Sequence, residues 1–225
     1  MFYTFVGDIH SNNDSLQKLL KNHESWRHLV FLGDINDSRK GDSTFLEVYF
    51  QVRDAVTSGR ATLINSNHQK NLINILIGKR TNLGIGMRTT LNELQKENLV
   101  LFTHENEKLT HLEIIDKPFI TSMVEWFDSR LLVFNGDGVV GVHAQYNPLL
   151  TGSKFKQCCL YGSRDKDRQR ITWWKTYKES PFVVAGHYHE VYQSDNCAII
   201  DGGCGDEDGE LYTFDWPERN IKLVH

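Results

Sequence analysis

The first third of the chain repeats one pattern three times: a short apolar run, a polar turn, then apolar residues at helical spacing. Phe2 to Val6 precedes Leu16, Leu19, Leu20 and His23, spaced i, i+3, i+4, i+7, which predicts a strand and then a helix with one apolar stripe. Asp14 or Ser15 can cap that helix. Leu29 to Leu32 predicts a second strand, and Phe45, Val48, Tyr49, Val52 and Val56 a second helix capped by Ser43 or Thr44. Ala61 to Ile64, then Leu72, Ile73, Leu76 and Ile77, complete a third unit that ends near the glycines of GKRTNLGIG. Strands joined through helices in this way belong in a parallel sheet with right-handed crossovers.

From about Met87 to Phe127 the period is mainly helical, with Leu91 and Leu94 in one segment and Ile120, Val124 and Phe127 in another. A polar stretch holding His104 and His111 separates them, and residues 87–130 are expected to form a helical insert or cap beside the sheet. From Leu131 onward LLVFN, VVGVHA, FVVAGH, CAII, ELYTF and IKLVH predict short strands, several joined by glycine-containing turns. A length of 225 residues suits one catalytic-size domain, 1–225.

Composition narrows the setting. Forty per cent hydrophobic residues, with 24 % charged and no long run of one sign, is globular rather than disordered. A net charge of −4 argues against a stable nucleic-acid complex, while leaving room for a local basic patch that holds a phosphate-bearing substrate. Cysteines 158, 159, 197 and 204 have no CxxC spacing and are expected as reduced thiols. No eighteen apolar residues run together and the N-terminus lacks a signal pattern, so a cytoplasmic protein free of membrane is expected. The oligomeric state is open.

The chemistry lies at the strand ends, where loops beyond the carboxyl ends of an open α/β sheet converge. GDIH supplies Asp8 and His10; GDIND supplies Asp34 and Asp37; NSNHQ supplies Asn67 and His68. The later half adds His143 in GVHAQ and His187 and His189 in AGHYH. Any one of these is more often a turn or cap residue. Five in this order, each after a predicted strand, point instead to a metal site of carboxylate, imidazole and amide ligands. Histidines 23, 28, 104, 111 and 225 lack such a setting.

The order GDxH, GDxxD, NH, xH, GHxH resembles the calcineurin-like metallophosphoesterases, whose segments read GDxHG, GDxxDRG, GNHE, VHAG and GHTH. The spacing looks nearest to the phosphoprotein-phosphatase branch, with its small phage serine/threonine phosphatases, diadenosine tetraphosphate hydrolases and bacterial RNA-repair phosphatase modules. LYGS at 160–163, TWWKTY and IIDGGCGDEDGELYTF have counterparts in the last two. The resemblance implies an α/β fold, an αββα sandwich of two mixed β-sheets flanked by helices. It implies two divalent metal ions, manganese first, with iron, zinc or nickel as alternatives. One is assigned to Asp8, His10, Asp34 and His189; the other to Asp34, Asn67, His143 and His187, with Asp34 bridging. The attacking water is activated between the cations, and His68, oriented by Asp37, protonates the leaving oxygen.

Departures from the family pattern bear on the substrate. GNHE is here SNHQ, placing Ser66 and Gln69 where a glycine and a glutamate are usual. Ser38 pushes the phosphate-gripping arginine one place on, to Arg39; Lys40 or Arg164 could take its role, and Asn67 also faces substrate. Gln145 and Tyr188 replace smaller residues near the mouth. The expected activity is hydrolysis of phosphate monoesters, on phosphoproteins or small phosphorylated compounds. The alternative is a nucleotide substrate, a diadenosine polyphosphate or a 2′,3′-cyclic phosphate, on whose base Trp173, Trp174 or Tyr188 could stack. A third reading is a regulator that binds metal or phosphate without turnover.

Overall fold

The computed structural model describes residues 1–41 and 43–225. Strand and helix alternate first: β1 (Tyr3–Val6), α1 (Asn13–Asn22), β2 (His28–Phe31), α2 (Phe45–Thr57), β3 (Ala61–Leu63) and α3 (Asn67–Leu76). Then come α4 (Ile85–Lys96), β4 (Val100–Glu105), β5 (Lys108–Ile114) and α5 (Lys117–Asp128). The remainder is β6 (Val133–Asn135), β7 (Val139–Val142), α6 (Gly152–Tyr161), a 3-10 turn at Trp173–Lys175, β8 (Phe182–Ala185), β9 (Val191–Gln193), β10 (Cys197–Ile200), β11 (Tyr212–Trp216) and β12 (Asn220–Leu223).

Two five-stranded mixed sheets pack face to face, in the orders β12-β11-β1-β2-β3 and β6-β7-β8-β10-β9. β1, β2 and β3 are parallel, as are β7, β8 and β10. Alternation along each strand divides the apolar residues between two faces. Phe5, Val30, Val184 and Phe214 fill the space between the sheets, while Val6, Phe31 and Leu63 pack outward on the first five helices. Val142, Val183 and Ile199 meet Cys159, Trp173 and Trp174 on the far side. This is the αββα sandwich expected. All four cysteines are free and buried, and among the described residues no helix is long and apolar enough to cross a membrane.

Several local expectations change. The cap of α1 is Asn12, whose side chain accepts from the Ser15 N–H at 3.1 Å, rather than Asp14 or Ser15. At α2 the expected cap holds, with Thr44 at the cap position and Ser43 Oγ accepting the Phe45 N–H at 3.3 Å, and the Glu93 carboxylate of α4 adds to it by accepting from the N–H groups of Phe45 and Leu46 at 2.7 and 2.9 Å. The polar stretch with His104 and His111 is a β-hairpin between α4 and α5, burying Val100, Phe102 and Leu109 on one face while Leu101, Thr103 and His111 are exposed. The later half carries α6 as well as strands, anchored by buried Cys158, Cys159 and Leu160. Trp173, Trp174 and Tyr188 are packed core residues, with Tyr188 and Trp174 ring centroids 4.2 Å apart, so none is free to stack on a base.

Candidate metal centre

The parallel strands β1, β2, β3, β7 and β8 all point their carboxyl ends at one crevice, and each delivers side chains there. Asp8, 1 % exposed, follows β1; its Oδ2 accepts the His187 N–H at 3.0 Å and its Oδ1 has no partner. A Cβ at Gly186 would collide with that carboxylate, so only glycine lets the two loops close. His10 donates Nδ1–H to the Asn36 carbonyl at 3.0 Å, which leaves its Nε2 lone pair 3.8 Å from Asp34 Oδ2.

Asp34, after β2, stands at the centre. Its Oδ2 is 3.8 Å from His68 Nε2 and 3.4 Å from His143 Nε2, and its Oδ1 accepts the His68 N–H at 3.2 Å. Its own N–H donates to Ser66 Oγ at 2.9 Å and Gln69 Oε1 at 3.0 Å. The two departures in SNHQ therefore act together, both gripping the Asp34 backbone from the first turn of α3.

His143 follows β7 and is fully buried, donating Nδ1–H to the Leu32 carbonyl at 3.0 Å. Its Nε2 is 2.6 Å from Asn67 Oδ1 and 3.2 Å from His187 Nδ1, which is itself 3.2 Å from Asn67 Oδ1. Ligand atoms thus gather in two groups, His10, Asp34 and His68 on one side and Asp34, His143 and His187 on the other, sharing Asp34. With the Nδ1 proton of His143 committed to Leu32, lone pairs of imidazole, amide and carboxylate face one another at close range. Such a crowd repels itself, and divalent cations reconcile it. The bare Asp8 Oδ1 fits the same account: a buried carboxylate oxygen is costly until something positive meets it.

Protonation follows the geometry. Burial, then the charges of Asp201 and Asp34, raises the Asp8 carboxyl well above its usual range. Burial would do the same to Asp34, but His143, His68 and His10 hold it below the usual carboxylate range. Burial and neighbouring His143 push His187 down to about 2, so its lone pair is free to ligate. Burial opposes a charge on His68, yet the Asp34 charge and the Asp37 hydrogen bond raise it to about 9. That bond joins His68 Nδ1 to Asp37 Oδ2 at 2.6 Å, while Asn36 Nδ2 and Thr90 Oγ1 donate to Asp37 Oδ1 at 2.8 and 3.0 Å. His68 can therefore hold a proton, and Asp37 can hold His68.

Asp8, His10, Asp34, Asp37, Asn67, His68, His143 and His187 come together. His189 does not join either ligand group: its Nδ1 lies 3.4 Å from Asp206 Oδ2 and its N–H donates to Asp201 Oδ2 at 2.7 Å. Arg39 also leans on Asp206, at 3.3 Å, with half its side chain exposed. Arg164 turns back into its own loop, donating to the Arg168 carbonyl at 2.9 Å. The cation whose charge reaches His187 is Arg170, lying over Tyr188 at 6.0 Å from the ring centroid. Asp201, fully buried after β10, accepts from His189 and Gly203 and was as legible as the others, since β10 is another parallel strand ending in a carboxylate.

Five of these residues, His10, Asp34, Asp37, His187 and His189, have left-handed backbones, with φ between 43° and 73°. Non-glycine residues rarely adopt that conformation, and clusters of it mark sites where side-chain aim outweighs backbone comfort.

No protein-family model matches the chain. The bis(5′-nucleosyl)-tetraphosphatase PrpE [asymmetrical] of Bacillus subtilis (strain 168) is 29% identical over 226 residues, covering 91% of this chain and 86% of that one. A solved structure provisionally described as a diadenosine tetraphosphatase superposes with a TM-score of 0.64 over 99% of this chain and 92% of its own, at 16% identity. The metallophosphoesterase from Sphaerobacter thermophilus superposes at 0.54 over 100% and 87%, at 15% identity. In fold the chain resembles the metallophosphoesterases, and along most of its length it is similar in sequence to a bis(5′-nucleosyl)-tetraphosphatase. The relatives' names support a hydrolase, and the Asp34-centred groups are suited to divalent metal ions.

Proposed function

We propose that this metallophosphoesterase cleaves phosphate compounds at a two-cation site, one cation on Asp8, His10 and Asp34 and the other on Asp34, Asn67, His143 and His187. The observation that carries the reading is the single carboxylate shared by both ligand groups. When bound, the cations supply positive charge to the phosphate oxygens and acidify a coordinated water, manganese being the proposed metal. The protein's own groups do the rest. Asp34 Oδ2 faces both ligand groups while Oδ1 accepts the His68 N–H, and Asn67 would contribute an amide oxygen that stays neutral at every pH. His68 holds a proton for the leaving oxygen, with Asp37 fixing its tautomer and ring plane. Arg170, which lies over Tyr188 next to His187 in the chain, is a better candidate to meet the phosphate than Arg164, which turns into its own loop, and Arg39 would reach it on release from Asp206.

Among phosphate compounds the relative's name favours a dinucleoside tetraphosphate over a phosphoprotein. A panel of p-nitrophenyl phosphate, a phosphopeptide, a 2′,3′-cyclic nucleotide and diadenosine tetraphosphate, assayed with the manganese-loaded enzyme, tests this. The tetraphosphate is expected to give the highest kcat/KM, and Asp34→Asn to abolish every rate along with manganese binding. A rate that persists in Asp34→Asn, or one indifferent to chelator, would sink the two-cation reading.

A further inference from the structure

A cavity of about 150 Å³ opens beside His68, lined also by Arg39, Asn71, Arg80 and Asn82. Arg80 lies in the loop between α3 and α4, outside every segment that supplies a metal ligand. Its Nε donates to the Asn82 carbonyl at 3.1 Å and its Nη1 to Asn71 Oδ1. Both acceptors are neutral, so they fix the guanidinium plane without cancelling its charge. Among the described residues, arginine–carboxylate pairs are made by Arg27, Arg39 and Arg60, and Arg80 belongs to none. It is also half-buried, an arrangement that stability alone does not favour, since a partly desolvated cation gains from a carboxylate. Asp37 and His68 line the same cavity as Arg80, which puts the guanidinium on the side of the crevice where the ligand groups lie.

Position gives the cavity its role. His68 Nδ1 is taken by Asp37 and its Nε2 looks toward Asp34, so the phosphoryl group under attack lies toward Asp34 and the departing group lies past His68, where Arg80 stands. We propose that the Arg80 cavity binds the departing part of the substrate through a phosphate, and so selects compounds in which the scissile bond joins two phosphates. This rests on the two-cation phosphoesterase reading above.

In that reaction a water oxygen bonds to phosphorus, the bridging P–O bond breaks, its electron pair stays on the departing phosphate, and one water proton passes to solvent. A departing phosphate is a weaker base than an alkoxide and depends less on the proton that His68 holds. It gains from a fixed cation, and the planar guanidinium fork matches its oxygens. An alcohol or serine leaving group offers no such anion.

The test is steady-state kinetics with manganese-loaded enzyme, comparing Arg80→Gln and Arg80→Lys on diadenosine tetraphosphate and on p-nitrophenyl phosphate. Loss of one charged hydrogen-bond partner predicts a rise in KM for the tetraphosphate of about 10- to 100-fold in Arg80→Gln, partly restored by Arg80→Lys. For p-nitrophenyl phosphate kcat/KM should stay within about threefold, the range left when a group touches neither ground nor transition state. Equal losses on both substrates, or no loss on either, overturns the cavity assignment and leaves the two-cation site standing. A wild-type enzyme that hydrolyses neither compound overturns the parent reading and this one with it.

Discussion

Asp37→Asn keeps the size of the side chain and removes the charge that faces His68 Nδ1 at 2.6 Å. In the metal-free protein burial acts against the imidazolium, but Asp34 and Asp37 carry His68 from its ordinary 6.5 to about 9. At about 1.4 kcal/mol per pH unit, that difference corresponds to roughly 3 kcal/mol favouring the protonated form. Asp34 remains in the variant, so only part is lost; a hydrogen bond to an ion is worth about 1.5–3 kcal/mol, which lowers the His68 pKa by about one to two pH units. The sign for stability follows. A group with a raised folded pKa stabilises fully below its unfolded value and loses that contribution as pH rises through the folded one. Metal-free wild type should therefore weaken by roughly 3 kcal/mol from pH 6.5 to above pH 9 through this group, and the variant by about half as much. Histidine-detected NMR titration in chelator, with urea unfolding at both ends of the range, measures each quantity. If His68 still titrates near 9 in Asp37→Asn, Asp37 is not what holds its proton.

His68→Ala should lower kcat by about 10²- to 10⁴-fold on an ester with a poor leaving group, and far less on p-nitrophenyl phosphate, with manganese affinity little changed by calorimetry. Far from the site, Arg27 is 7 % exposed and ties Glu24, Glu218 and Asp215 to the carbonyls of Tyr3 and Trp216. Arg27→Met should destabilise the fold by about 2–4 kcal/mol in urea, because buried acceptors then lose their donor, with kcat unchanged.

The ligand segments were legible because one rule finds them, a polar residue just past the end of a parallel strand. The same rule reaches Asp201 after CAII, which runs parallel to FVVA. Helical spacing on either side masks the hairpin at 100–114 in the sequence, although Val100 and Phe102 alternate with exposed Leu101 and Thr103. Thr90 holds Asp37 from 53 residues away, and such a long-range partner leaves no local periodicity. His189 sits two residues from His187, which in a strand would aim both alike; left-handed φ values at the two residues, 73° and 51°, separate them. Gln69 looked like a weakened glutamate in the sequence. In the structure its amide oxygen meets the same Asp34 N–H that Ser66 does, a task needing an acceptor and no charge.

The left-handed turns at His10, Asp34, Asp37 and His187 set folding and chemistry against each other. Each costs about 1–2 kcal/mol relative to a residue indifferent to handedness. Glycine in their place would relax the chain while removing the groups that make the crevice useful, so the sturdiest version of this backbone would be an inert one. The chain lives below its own stability ceiling at the very positions proposed to handle phosphate.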